Sequence, residues 1–150
     1  MAAVNTLPAS WSWPVALAEA GEQAEDILSS MLRRSGRWLL VVEDARQRYV
    51  QLLVDGDGGI FAEAVSNNDL SGPDCWSEAD EERLTRLGWE PPCLPARPNW
   101  NCLFSKRRPD VAHVSALLMC TLRDPFGLED TDLLVFSVRR SRQGEAKPPA

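Results

Sequence analysis

The side chains in this sequence that could do chemistry are one histidine, four cysteines, a glycine–aspartate run and a few acids and arginines set close together. His113 has no cysteine or serine motif beside it, so spacing assembles no nucleophile with its base, and a packed or surface histidine is expected. Cys75, Cys93, Cys102 and Cys120 lack any C-x-x-C spacing. They support neither a zinc ribbon nor a redox pair, and most of them read as small buried side chains. Asp55-Gly56-Asp57-Gly58-Gly59 invites a calcium loop, yet such a loop begun at Asp55 needs an acid where Gly59 stands and a glutamate where Ser66 stands. The same glycines miss the dinucleotide fingerprint, because Phe61 takes the place of its third glycine. Glu63 and Asp69 could pair as acid and base, but nothing beside them stabilises charge or raises a pKa, so solvated carboxylates are expected. The expectation is therefore no catalytic residue, no metal, no cofactor and no enzyme.

Bulk properties narrow the partners. The chain has 150 residues, 44% of them hydrophobic, and a formal net charge of −6, which suits one globular domain and disfavours the phosphate-neutralising surface of a nucleic-acid binder. Arg107, Arg108, Arg139, Arg140 and Arg142 are local exceptions, read as solvated. Pro8, Ser10, Ser12 and Pro14 interrupt the N-terminal region where an export signal would need a continuous apolar core. No stretch approaches the ~20 apolar residues that span a bilayer. A cytoplasmic protein with no membrane partner and no disulfides is expected.

The elements that must position these residues follow from pattern. Residues 1–19 read as an N-terminal arm carrying Trp11 and Trp13, residues 20–140 as a single α+β domain, and residues 141–150 as a disordered tail. Ala24, Ile27, Leu28, Met31 and Leu32 recur at helical spacing. Trp38–Val42 is an apolar run of strand length, and Tyr49–Val54 and Ile60–Val65 flank the glycine-rich turn as a hairpin. Ser77 with Asp80 forms a capping box for a short helix closed by Gly88, and Trp89 is expected to plug its end. Prolines 91, 92, 95 and 98 predict an extended linker into a strand where Trp100, Cys102 and Phe104 alternate with Asn101, Leu103 and Ser105. Asp110 caps a broad apolar helix that stops near Gly127, and Leu133–Val138 is a final strand. The predicted order is α-β-β-β-α-β-α-β, an antiparallel meander with helices packed on one face.

Alternation along the hairpin places Val50, Leu52, Val54, Ile60, Ala62 and Ala64 on one face and Tyr49, Gln51, Leu53, Phe61, Glu63 and Val65 on the other. Helices cover only one side of such a sheet, so the second set is an apolar patch that needs a cover. The tryptophan-bearing arm, a second subunit or a client peptide would each serve. These six residues are the candidate peptide-binding set, with Gln51 and Glu63 offering polar partners to a bound backbone. Trp38, Trp76, Trp89 and Trp100 read as core or loop anchors.

The element order resembles the type III secretion chaperone and YbjN-like superfamily of α+β domains over roughly residues 20–140. Tyr49-Val50-Gln51, the strand exit Phe61-Ala62-Glu63-Ala64-Val65-Ser66-Asn67, Leu70, Leu84, Leu87-Gly88-Trp89, Asn99-Trp100, the Ala116–Arg123 helix and Phe126-Gly127 carry the resemblance. They look like the actinobacterial peptide-binding chaperone-like branch. The resemblance implies a non-enzymatic domain that holds an extended client segment, without nucleotide, metal or other cofactor, and it carries over no site residues. The first functional expectation is a module that captures a protein or peptide client on an open sheet face or edge. The alternative is a structural or regulatory subunit whose apolar face is permanently buried in an oligomer, a homodimer included.

Overall fold

The computed structural model describes residues 10–55, 59–104 and 110–141. The elements in chain order are β1 (Ser10–Ala16), α1 (Leu17–Leu32), β2 (Trp38–Glu43), β3 (Tyr49–Val54), β4 (Ile60–Ala64), α2 (Glu78–Leu87), β5 (Trp100–Phe104), α3 (Val111–Arg123) and β6 (Leu133–Arg140). The strands make one antiparallel sheet in the order β1-β6-β2-β3-β4-β5. From α1 onward the elements follow the predicted order, and the fold is α+β as expected.

The front of the chain differs from expectation. From Ser10 the stretch read as an arm is an edge strand paired with β6 from Ser10↔Arg139 to Ala16↔Leu133, and α1 follows it directly. Trp11, Trp13 and Val15 alternate with Ser10, Ser12 and Pro14, a period-two pattern that the prolines obscure. Proline lacks a backbone N–H and is tolerated in a sheet at an edge, which is where Pro14 lies. The expected tail also begins late, since Ser141 is buried and its N–H donates to Arg37 O at 2.8 Å.

Local chemistry sets the other boundaries. Both bonds of the Ser77/Asp80 capping box form, at 3.1 and 3.2 Å, and Gly88 closes α2 with a left-handed φ of 109°. Asp110 accepts from the N–H groups of Ala112 and His113 at the start of α3. Asp55 N–H donates to Gly59 O at 2.9 Å across the hairpin, while Gly56–Gly58, the heart of the expected turn, lie outside the described residues. The Pro91–Pro98 stretch is not simply extended, because Cys93 and Arg97 close a tight loop through paired backbone bonds of 2.8 and 2.9 Å.

All three helices take part in one core. On the sheet it rests on the rows Val138–Leu40–Leu52–Ala62 and Phe136–Val42–Val50–Ala64–Trp100, each read across neighbouring strands. Leu17, Ala20, Ala24, Ile27, Leu28 and Met31 of α1 and Val114, Leu118 and Leu122 of α3 close over it. The two helices approach closely at Gly21, whose carbonyl accepts from Ser115 Oγ at 2.9 Å. Trp89 is buried, and its indole N–H donates to Thr121 Oγ1 at 2.9 Å, which ties the exit of α2 to α3.

A buried ion pair fastens one end of the sheet. Asp44 Oδ2 accepts from Arg48 Nε at 2.7 Å, and Asp44 Oδ1 accepts from the backbone N–H groups of Arg46 and Arg48 at 2.9 Å. The Arg48 guanidinium also donates to Phe126 O at 2.9 Å and lies 5.1 Å from the ring centroids of Trp76 and Phe126. Trp76 in turn donates its indole N–H to Val65 O at 2.8 Å. The β2–β3 turn, the loop before α2 and the turn after α3 are thereby locked together.

The cysteine expectation is corrected. Cys75, Cys93 and Cys120 are exposed and Cys102 is half-buried, because two of them sit on loops and Cys120 lies on the outward side of α3.

Candidate functional site: the helix-free sheet face

The side of the sheet that the helices leave bare is built from three rows. Ser10, Arg139, Leu39, Leu53, Phe61 and Leu103 stand opposite one another on the six strands, as do Ser12, Ser137, Val41, Gln51, Glu63 and Asn101. Pro14, Val135, Glu43 and Tyr49 form the third.

The first row holds an apolar cluster separate from the main core. Leu39, Leu53 and Phe61 are only 3, 2 and 6% exposed, with Val41 packed beside them. This small core does not owe its cover to the α-helices, which all lie on the opposite face. The middle row is polar and internally bonded. Gln51 Nε2 donates to Glu63 Oε1 at 2.9 Å, and Asn99 Nδ2 donates to Glu63 Oε2 and to the Tyr49 hydroxyl, both at 3.3 Å. Asn99 is held in place by its own neighbours, since its Oδ1 accepts from Ser66 N–H at 3.2 Å and Ser66 Oγ donates to Pro98 O at 2.6 Å. The end of the proline-rich stretch thus presses an amide against Glu63. Burial raises the Tyr49 pKa above its ordinary value; the Asn99 hydrogen bond opposes this, and the charges of Asp69 and Glu63 add to the rise.

Exposed apolar side chains lie at both ends of this face. Leu133 and Val135 on β6 are 63 and 45% exposed, beside Pro14 and Ala16 of β1, and Leu103 on β5 is 43% exposed next to Phe61. Among the described residues four large apolar side chains are exposed, and three of them share this face.

Of the six residues singled out from the sequence, Tyr49, Gln51 and Glu63 join one hydrogen-bonded network with Asn99, and Leu53 and Phe61 pair in the buried cluster. Val65 does not join them. It follows the last residue of β4, its N–H donates to Tyr49 O at 3.0 Å, and its side chain packs into the helix-side core. Residues that sequence reasoning missed are Leu133, Val135 and Leu103, whose alternation was readable, and Asn99, whose place in a proline-rich stretch gave no sign. His113 stacks edge-on against Phe104 with ring centroids 5.7 Å apart, away from this face. Among the described residues no cluster of histidine, cysteine, aspartate or glutamate could hold a metal ion, and no helix is long and apolar enough to cross a membrane. What the face offers chemically is hydrogen-bonding amides and a carboxylate between apolar flanks, which suits noncovalent recognition of a peptide.

A family model described as T3SS (YopN, CesT) and YbjN peptide-binding chaperone 3, TY-Chap3, matches residues 18–140, well over half of the chain. The chain belongs to this family. The TY-Chap3 match takes in all but the first residue of α1 and everything through β6 and leaves out the whole of β1, so the tryptophan strand lies outside the matched residues. No curated protein and no solved structure matches the chain.

Proposed function

We propose that this TY-Chap3 protein is a non-enzymatic cytoplasmic chaperone that holds an extended client segment across the helix-free face of its sheet. The observation that carries the reading is that Leu133 and Val135 at one end of the face and Leu103 at the other, all partly in water, flank a row of amides and one carboxylate. Half-buried Tyr49 and Gln51 border the client, while Glu63, held by Gln51 and Asn99, and the buried Leu53 and Phe61 support the floor from beneath. Val65 is not a contact, because it faces the helices.

The face is favoured over the edges for a physical reason. Strand addition needs a row of free N–H and C=O groups. On the β1 edge Pro14 interrupts such a row, and on the β5 edge Glu90 already pairs with Asn101 through backbone bonds of 2.8 and 3.0 Å.

The test measures suppression of aggregation of a reduced, unfolded model protein by the wild-type chain and by a Leu133→Asp/Val135→Asp variant. Suppression by the wild type, lost in the variant with its circular dichroism unchanged, supports the reading. Equal suppression by both removes the face from the function. Size-exclusion chromatography over a dilution series decides the alternative, since a permanently buried face gives an oligomer that survives dilution and no client binding.

A further inference from the structure

The exposed apolar end of the helix-free face is bordered by acid. Leu133 and Val135 stand on β6 with Pro14 beside them on β1, and Glu43 on β2 is directly opposite Val135. Glu43 alternates with Val41, which packs in the small apolar cluster of this face, so its half-buried side chain is on the same side of the sheet. No hydrogen bond or ion pair engages its carboxylate among the described residues. The turn that leads into Leu133 is Glu129-Asp130-Thr131-Asp132, and of these acids only Asp130 has a cationic partner among the described residues, Arg123 at 2.7 Å.

The nearby cations are engaged elsewhere. Arg46, in the turn after β2, is bound to Asp74 and to Pro73 O, and Arg48 is bound to Asp44. Arg37 precedes the far end of β2 and is paired with Asp55 at 3.4 Å. Arg139 stands four residues from Val135 along β6, ~13 Å away and beyond the Debye length of ~8 Å at physiological salt. Tyr49 is opposite Glu43 on the β3 side. Burial is the first cause of its raised pKa, the Asn99 hydrogen bond opposes the rise, and the charges of Asp69 and Glu63 add to it, so the field on that side is negative as well.

Spacing turns this charge into a rule about the client. Directly opposed residues such as Val135 and Glu43 have their Cβ atoms ~5 Å apart, and same-side residues of an extended peptide are ~7 Å apart. A peptide that crosses from β6 toward β2 with an apolar side chain over Leu133 and Val135 therefore brings the side chain two positions away to Glu43. We infer that Glu43 selects clients in which a residue the size of leucine or phenylalanine is followed or preceded, two positions away, by lysine or arginine. The inference rests on the client's lying on the helix-free face. The apolar residue covers Leu133 and Val135, the cation meets the Glu43 carboxylate, and an acid at the same position is repelled.

Three synthetic peptides provide the test. Each has one phenylalanine in a glycine–serine frame, and two positions on it carries lysine, glutamine or glutamate. Binding is measured by fluorescence anisotropy at low salt. A contact between unit charges in water is worth roughly a factor of five, so the lysine peptide binds the wild type about fivefold tighter than the glutamine peptide and the glutamate peptide about fivefold weaker. Glu43→Gln abolishes this order, and Glu43→Lys reverses it, with the glutamate peptide then binding tightest. Added salt narrows the differences in every case.

Equal binding of the three peptides by the wild type, or an order that survives Glu43→Gln with its circular dichroism unchanged, overturns the inference and leaves the chaperone reading standing. A chain that suppresses aggregation of an unfolded protein yet binds none of the three peptides has the same meaning. Failure in both assays overturns both readings. A dimer that forms on concentration, with no peptide bound, identifies a second copy as the occupant of the face and overturns the inference. Should Glu43→Lys fail to fold, the isosteric Glu43→Gln still decides the question.

Discussion

Asp44→Ala tests the buried clip at the end of the sheet. Side-chain exposure is 2% for Asp44 and 6% for Arg48, so their contact at 2.7 Å is shielded from water. The substitution removes the acceptor for the Arg48 guanidinium and for two backbone N–H groups, leaving Arg48 with only Phe126 O and two ring faces. Breaking a buried pair from one side costs about 3–5 kcal/mol, a large part of the ~5–15 kcal/mol that stabilises a domain of this kind. Replacing both members avoids the unpaired charge, so the loss for Asp44→Ala/Arg48→Met should be about 2–3 kcal/mol smaller than the sum of the two single losses. Urea denaturation followed by tryptophan fluorescence measures all four proteins. An Asp44→Ala loss below about 1 kcal/mol, or strict additivity, would refute the reasoning, because it would mean that water already reaches the pair.

Further outcomes can be checked individually. Trp89→Phe keeps the packing but loses the bond to Thr121 and should cost about 1 kcal/mol in the same denaturation experiment. Ser77→Ala removes half of the capping box and should cost about 1 kcal/mol, while Ser77→Asp should restore most of it. Tyr49 is the only tyrosine, so tyrosinate absorbance reports it alone; ionisation should begin at higher pH than in the unfolded chain. Because the folded state disfavours the anion, stability from this group is intact below the unfolded value of 10.0 and declines above it, a loss that Tyr49→Phe should remove. Burial first and Glu90 second raise the Cys102 thiol, so Glu90→Gln should shift its alkylation profile to lower pH; no shift would mean that Glu90's charge does not reach the sulfur.

Much of the fold is written in short-range pattern. Ser77 and Asp80 announce the start of α2 because capping is local, and the hairpin faces follow from alternation once its ends are known. The first strand escaped because Pro14 reads as a breaker until its edge position is known, and edge position is a property of the whole sheet. The same limit governs the candidate site. Alternation places Leu53 and Phe61 together, but their burial depends on what lies over them, and the pattern stops at Val65 because β4 stops at Ala64. Leu133 and Val135 alternate visibly with Leu134 and Phe136, yet only the strand order shows that their face is the one without helices. Asn99 reaches Glu63 across 36 residues of sequence, a distance at which no local rule operates.

The position of β6 has a consequence for how the molecule is made. The last of the described strands is inserted between the first two, so β1 and β2 have no common neighbour until residues 133–140 have been synthesised. The nascent chain can close its hairpin early, but its tryptophan-bearing strand must wait through most of translation. Contacts so distant along the chain form slowly, and the unfinished sheet is open to mispairing for that interval. A product terminated before Leu133, and so lacking β6, would therefore have a split sheet rather than a trimmed one.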